Sequence, residues 1–286
     1  MRDLINELYQ EQTLSKANLI NLLLHINDEE REYLYEKAYS VRYEHYKNSV
    51  YVRGLIEFSN YCKNDCTYCG ITIHNKELTR YHMTPEEVIK TAEIGYSLGF
   101  RTFVMQGGED TSFTDDKFAA IISSIKTQFP EAAVTLSIGE RSKESYQKLY
   151  DAGADRFLIR HETINKKLYE KLHPKMSYEN RIKSLFDLKD IGFQVGTGFM
   201  VGVPGQEIED IANDLLFIKE LNPHMIGIGP FILHKNTPLR DESAGSAELT
   251  YTLIAILRLM LPTSLIPSTT SLATLKAENR YKGFRV

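Results

Sequence analysis

The sequence predicts an α/β barrel of the TIM type that lacks its last strand and carries a helical extension at its N-terminus. Three observations predict it. Short apolar runs alternate with longer helical ones from residue 51 onward, as in a parallel sheet covered by helices. Seven such runs follow one another, which suits a barrel better than an open dinucleotide-binding sheet. The 286 residues, 42% of them apolar, can fill a barrel core, and no low-complexity linker marks a second one.

Residues 1–46 read as a helical segment, with Leu4, Leu8, Leu14, Leu19, Leu22 and Leu23 supplying apolar faces. Asp28-Glu29-Glu30 reads as a helix start, its acids placed at the positive end of the helix dipole. Residues 47–286 read as the barrel domain. Strands are expected at 51–58, 102–105, 133–137, 156–160, 193–200, 225–229 and 265–269. Helices are expected at 85–98, 115–128, 143–151, 178–189, 208–220 and 247–261. Thr84-Pro85-Glu86-Glu87 is a strong start for the first of these: Thr caps, Pro occupies the first helical position and acids follow. The sequence stops at Val286 after seven strand candidates, so either a truncated chain or a barrel open on one side is expected.

Composition narrows the function. Lys and Arg number 34 against 38 Asp and Glu, a net charge of −4, so no basic excess calls for nucleic acid. No run approaches the ~20 apolar residues of a membrane helix; the best, 253–261, is interrupted by Arg258. Met1-Arg2-Asp3 places charge ahead of any apolar run, unlike a signal peptide, and a cytoplasmic enzyme is expected.

The three cysteines, Cys62, Cys66 and Cys69, fall within eight residues. An odd number so close together is a metal site, not a disulfide framework. The spacing C-x3-C-x2-C follows the first strand. Three thiolates there can hold three irons of a 4Fe–4S cubane and leave the fourth iron open for chemistry. The competing reading is a Cys3His zinc site completed by His74 or His82.

Other strand ends carry polar groups. Gln106-Gly107-Gly108-Glu109 follows the second strand; its glycines let backbone come close to a ligand and Glu109 adds negative charge, although alone the tripeptide reads as a turn. Arg160-His161-Glu162 follows the fourth strand, and Arg181 lies on the next helix. Arginine pairs bidentately with a carboxylate, and Glu accepts from ribose hydroxyls or an amine. The alternative is a surface ion-pair cluster of little energetic weight. His161 by itself reads as a hydrogen-bonded structural histidine. Thr135 and Ser137 share one side of the third strand. Arg53 points inward if Ile56 points out, and an anionic substrate is a candidate partner for it.

The cysteine loop, with Tyr68 before its last cysteine, resembles the signature of the radical S-adenosylmethionine (SAM) superfamily, and Gly107-Gly108-Glu109 resembles that superfamily's GGE motif. A narrower resemblance rests on several stretches in order. These are Ile56-Glu57-Phe58-Ser59-Asn60, Gly107-Gly108-Glu109-Asp110, Thr135-Leu136-Ser137 with Gly139-Glu140, and Arg160-His161-Glu162-Thr163. Met200-Val201-Gly202-Val203-Pro204-Gly205-Gln206, Ile226-Gly227-Ile228-Gly229-Pro230-Phe231 and Ile266-Pro267-Ser268-Thr269-Thr270 continue the set. Together they resemble the HydE family, radical SAM maturases of the FeFe hydrogenases, and share much with the biotin synthase and methylornithine synthase branches. The resemblance implies that Cys62, Cys66 and Cys69 hold a 4Fe–4S cluster whose open iron is chelated by SAM. It implies SAM neighbours at Tyr68, Gln106, Gly107, Gly108, Glu109, Ser137, Arg160, Glu162 and Arg181. It places Arg53, Thr135, Thr269 and Thr270 toward a substrate cavity. One electron then splits SAM to methionine and a 5′-deoxyadenosyl radical. Implied partners are a low-potential electron donor, a tyrosine lyase supplying a cysteine-bound iron carbonyl–cyanide synthon, and a scaffold GTPase receiving the product. HydE chains run on through a last strand and a C-terminal segment that this sequence lacks. Two other readings stand beside this one: an amino-acid mutase of the methylornithine synthase kind, and a non-enzymatic metal-binding module. Sulfur insertion of the biotin synthase kind is disfavoured, because no cysteine remains for a second cluster.

Overall fold

The computed structural model describes residues 1–285. Three helices come first, α1 (Arg2–Glu11), α2 (Lys16–His25) and α3 (Asp28–Tyr46). Asn27 and Glu30 form a reciprocal capping box at the start of α3, where the acidic run predicted a helix. Alternation then begins with β1 (Gly54–Ser59), α4 (Pro85–Ser97), β2 (Thr102–Gly107), α5 (Asp115–Gln128), β3 (Ala133–Ser137), α6 (Lys143–Asp151) and β4 (Arg156–Leu158). It continues with α7 (Lys166–Leu172), α8 (Tyr178–Ile191), β5 (Gln194–Thr197), β6 (Met200–Val201), α9 (Ile208–Leu221), β7 (Met225–Ile226) and β8 (Gly229–Pro230). The last elements are α10 (Ala247–Met260), α11 (Thr270–Leu275) and α12 (Asn279–Lys282).

Six strands pair in the order β1-β2-β3-β4-β5-β7, each neighbour parallel. The order never reverses, so every crossover returns to the same side and the sheet curls toward a barrel; a doubly wound sheet would reverse. The expected partial TIM-type barrel is what forms. Alternation along the strands separates two faces. Ile56, Phe58, Phe103, Met105, Val134, Leu136, Phe157 and Val195 are buried in one core with helical residues such as Val88, Phe118 and Leu185. Leu55, Glu57, Val104, Gln106, Thr135 and Ser137 alternate with them and line the lumen; Leu55 is 53% exposed there.

Three expectations need correction. The run 193–200 is two strands, β5 and β6, and the run 225–229 is likewise β7 and β8; β6 pairs with β8 in a separate two-stranded sheet. The run 265–269 forms no strand: it makes one isolated bridge, Leu265 to Met225. Pro267 has no amide to extend the ladder, and the chain enters α11 directly after Thr269. Helix α7, capped by Asn165, has no counterpart among the expected elements.

The first helices belong to a second core. Ile5, Leu8, Leu19, Leu22 and Leu34 pack with Ile211, Leu215 and Ile218 of α9 and with α10. Helix α10 is buried from Thr250 to Met260. Its one charged side chain in that stretch, Arg258, donates to the carbonyls of Pro262 (2.9 Å) and Ser264 (2.7 Å). No helix among the described residues is long and apolar enough to cross a membrane.

Candidate functional site

The polar groups gather at the C-terminal ends of β1 to β5, the end at which barrel enzymes place their chemistry. The segment between β1 and α4 holds the cysteines and is irregular, so its carbonyls need donors from elsewhere. Arg80 supplies them. Its guanidinium donates to the carbonyls of Asn60, Ile71 (2.9 Å), Thr72 (2.6 Å) and Asn75 (3.4 Å). Asn75 adds a bond from its amide to the Gly70 carbonyl at 2.7 Å. Gly108 seats the loop on the sheet: a Cβ there would lie 2.2 Å from the Tyr61 carbonyl and 2.6 Å from the Cys62 Cβ. The expectation that this glycine admits a ligand is therefore sharpened, since what approaches it is the cysteine loop itself. Gly107, at the end of β2, would clash with Phe58 in the same way, at 2.7 Å.

Cys62, Cys66 and Cys69 are all free and half-buried. Burial pushes the Cys66 and Cys69 thiols up, and their mutual proximity adds to it. Bound metal reverses that shift, because a coordinating thiol is deprotonated outright. The Cys66 sulfur lies 3.9 Å from the Met176 sulfur.

Around the thiols stand two arginine–carboxylate pairs. Glu162 has one oxygen, Oε1, 3.0 Å from the Arg160 guanidinium and 3.3 Å from the Tyr68 hydroxyl. Its other oxygen, Oε2, is buried without a partner. The second pair joins Arg181 to Glu140 at 2.6 Å, with a further bond from Arg181 to the Arg160 carbonyl at 2.6 Å. Both side chains are buried, at 8% and 10% exposure. Tyr68 also meets His173, at 3.0 Å from Nε2. His173 Nδ1 lies 3.1 Å from the Tyr169 carbonyl and so carries the proton, which leaves Nε2 to accept from Tyr68. Burial and the Arg181 charge pull His173 down to about 3, so it stays neutral. Glu109, at the end of the Gly-Gly turn, accepts from the Glu140 amide at 3.0 Å and pairs with Lys63 at 3.1 Å.

Sequence reasoning named most of these residues, and the fold brings Tyr68, Glu109, Arg160, Glu162 and Arg181 around the cysteine loop. Gln106 and Ser137 stand in register with each other on the lumen face. Thr135 points into the lumen with its hydroxyl buried and unpartnered. Ile56 does point out, and Arg53 shares the lumen face. Its position needs correction, however. It precedes β1, and its guanidinium lies against Met225 at the start of β7, the opposite end of the barrel from the cysteines. Thr269 and Thr270 lie at the start of α11 and not on a strand. The Thr269 hydroxyl lies over Gly229, whereas Thr270 is exposed. His161 is fully buried and hydrogen-bonded, as expected of a structural histidine. Sequence reasoning missed His173, Tyr169 and Met176, which follow from α7. It had Glu140 only as part of a motif, without its partner Arg181.

No preformed ligand set supports the zinc reading. Among the described residues no three His, Cys, Asp or Glu side chains are placed to hold a single ion. His74 is exposed, and His82 lies beside Tyr61 and 3.8 Å from Asp110. A cluster with an open iron and a ligand carrying donor groups fits better. The three thiols share one clamped loop, and the buried Glu162 Oε2 lacks a donor that an amine or hydroxyl of SAM would supply.

Comparison with known proteins agrees. The family model described as the radical SAM superfamily matches residues 56–218. The chain is 46% identical over 253 residues to the FeFe hydrogenase maturase subunit HydE of Thermotoga maritima, covering 88% of this chain and 72% of that one. It is 32% identical over 263 residues to the 3-methylornithine synthase of Methanosarcina acetivorans, covering 91% of this chain and 74% of that one. The crystal structure of methylornithine synthase superposes with a TM-score of 0.88 at 27% identity, over 98% of this chain and 83% of that one. A clamped three-cysteine loop at the mouth of a parallel partial barrel, and a family match over more than half its length, establish that this chain belongs to the radical SAM superfamily, whose members use a 4Fe–4S cluster and SAM.

Proposed function

We propose that this radical SAM enzyme serves in building the diiron site of FeFe hydrogenase, as a maturase of the HydE kind. The observation that carries the reading is the likeness to HydE over most of the chain, well above the likeness to methylornithine synthase. In this reading Cys62, Cys66 and Cys69 hold the cluster. When bound, the reduced cluster supplies the electron that splits SAM into methionine and a 5′-deoxyadenosyl radical. The chain's own residues bind and orient. Glu162 accepts from an amine or hydroxyl of SAM through Oε2, while Arg160 keeps its other oxygen fixed. Arg181 and Glu140 hold the mouth rigid beside it. Glu109, Gly107 and Gly108 offer an acid and backbone at the end of β2. Tyr68, whose hydroxyl lies between Glu162 and His173, packs beside the cluster loop. Thr135 faces a substrate in the lumen, with Thr269 over Gly229 as a further contact, and Ser137 is a neighbour of SAM. The finer expectations are a tyrosine lyase that supplies an iron carbonyl–cyanide synthon, a scaffold GTPase that accepts the product, and a low-potential reductant.

The test is anaerobic reconstitution with iron and sulfide, reduction, and addition of SAM. A shifted EPR signal and release of 5′-deoxyadenosine are expected, and Cys66→Ala should lose both along with the iron. Addition to a hydrogenase maturation mixture lacking HydE should restore hydrogenase activity. Consumption of lysine with no such restoration would favour the mutase, whose structure superposes well on this one. One zinc per chain with no iron would return the metal-module reading.

A further inference from the structure

We propose that Asp214, acting through His161, is a positioning residue that holds Glu162 in the conformation that presents its free oxygen to SAM. The inference rests on the reading of Glu162 as a SAM contact given above. Glu162 is a non-glycine residue at φ 65°, in the left-handed region where an L-residue's Cβ crowds the following carbonyl oxygen. It is also 4% exposed, so the surrounding structure must hold it there.

The residues on either side are clasped by one carboxylate. The His161 amide donates to the Thr197 hydroxyl at 3.3 Å, and that hydroxyl lies 3.0 Å from His161 Nδ1. A hydroxyl that accepts from the amide is free to donate to Nδ1, which places the imidazole proton on Nε2. Nε2 faces Asp214 Oδ1 at 3.5 Å. The same Oδ1 accepts from the Ile164 amide at 2.7 Å. His161 Nε2 makes no hydrogen bond, so its approach is electrostatic: one oxygen bonds the Ile164 amide and attracts the imidazole of the residue before Glu162. The Glu162 amide completes the grip by donating to the Gly198 carbonyl at 3.1 Å.

Burial argues that the pair has a role beyond packing. His161, Thr197 and Asp214 are all fully buried, and the His161 ring lies between Phe199 and Phe217 at centroid distances of 5.8 and 4.9 Å. A buried polar pair in such surroundings is often no more stabilising than apolar side chains of the same size. Apolar residues there could not bond the Ile164 amide or fix the turn. Asp214 itself rides on α9, which Ile211, Leu215 and Ile218 fasten into the second core. It is a rigid post for a strained turn.

The experiment is a double-variant cycle on the reconstituted protein, reading SAM affinity by calorimetry and iron content by assay. Hydrogen exchange of residues 160–165 is followed in parallel. Asp214→Asn keeps the shape and removes the charge. We expect about tenfold weaker SAM binding at unchanged iron content, with faster exchange in that turn. In a Glu162→Ala background the same change should have no further effect on SAM affinity. An equal loss in both backgrounds would overturn the proposal, as would unchanged affinity in Asp214→Asn. Should Asp214→Asn fail to fold by circular dichroism, Thr197→Val cuts the same circuit at the hydroxyl and enters the same cycle. Wild-type protein that holds iron and binds no SAM would sink the reading of the whole site, this role included. A wild type that binds SAM beside an unaffected Asp214→Asn would sink this role alone.

Discussion

The two ends of the barrel both hold arginines, and they treat them differently. At the mouth, Arg181 is bonded to Glu140 at 2.6 Å and to a carbonyl at the same distance, and Arg160 is paired with Glu162 at 3.0 Å. At the base, Arg53 lies against the Met225 sulfur. Its neighbour Arg156 donates to Gln194 at 2.7 Å and more loosely to Thr102 at 3.4 Å. None of the ion pairs among the described residues includes Arg53 or Arg156. Burial and the Arg156 charge accordingly pull Arg53 below the ordinary arginine range. The mouth fixes its charges in pairs at set positions, which is how a site preorganises to meet a polar ligand. The base leaves its charges held only by neutral groups.

Removing an arginine at each end should break or sharpen this contrast. Arg181→Met leaves Glu140 buried without its partner, and should cost about 3–5 kcal/mol in urea unfolding of the iron-free chain. Arg181→Lys should recover only part, because a lysine cannot reproduce the planar fork that meets Glu140 and the Arg160 carbonyl together. A loss below ~1 kcal/mol would make the mouth pair no more than a surface bridge.

The next effect is pH-dependent and belongs to the mouth. His173 has its folded value depressed to about 3 by burial and by Arg181, against an ordinary 6.5. Its contribution is therefore fully present above pH 6.5 and is lost as pH falls toward 3. The slope is about 1.4 kcal/mol for each pH unit in that window. His173→Gln should flatten the acid limb of the stability profile. An unchanged limb would assign it to carboxylates instead.

The smallest effect is expected at the base. Arg53→Met removes a cation that faces a like charge and has no acid partner. The change should be neutral or mildly stabilising, within about 1 kcal/mol. A loss as large as that of Arg181→Met would erase the distinction between the two ends.

The mouth was more legible in the sequence than the frame around it. Cys62, Cys66 and Cys69 announce themselves by spacing, since thiolates a few residues apart have few other uses. Arg160, Glu162 and Arg181 were readable as a charged group at a strand end, but the partner of Arg181 was not. Glu140 lies 41 residues away in sequence, and only packing brings the two together. Helix α7 escaped notice because its seven residues carry three lysines and an acid, too short and polar for a period to show. Tyr169 and His173 were hidden with it. The run at 265–269 misled for a different reason. Leu265 and Ile266 look like a strand, and the backbone veto from Pro267 outweighs them. In the runs 193–200 and 225–229, glycines at 198 and 227 interrupt the strands at the point where their backbones meet. A Cβ on Gly198 would lie 2.0 Å from the Gly227 carbonyl oxygen.

The Arg80 clamp carries a consequence for how this surface can change. Every acceptor it uses is a main-chain carbonyl, and every residue type has one. The contour of the loop is thereby separated from the identity of its outward side chains. Ile73, His74 and Lys76 are exposed on it and could be exchanged freely while the path of the chain stays put. The surface around the cysteine loop is thus open to drift, or to redesign for a chosen partner, at little cost to the receptacle beneath.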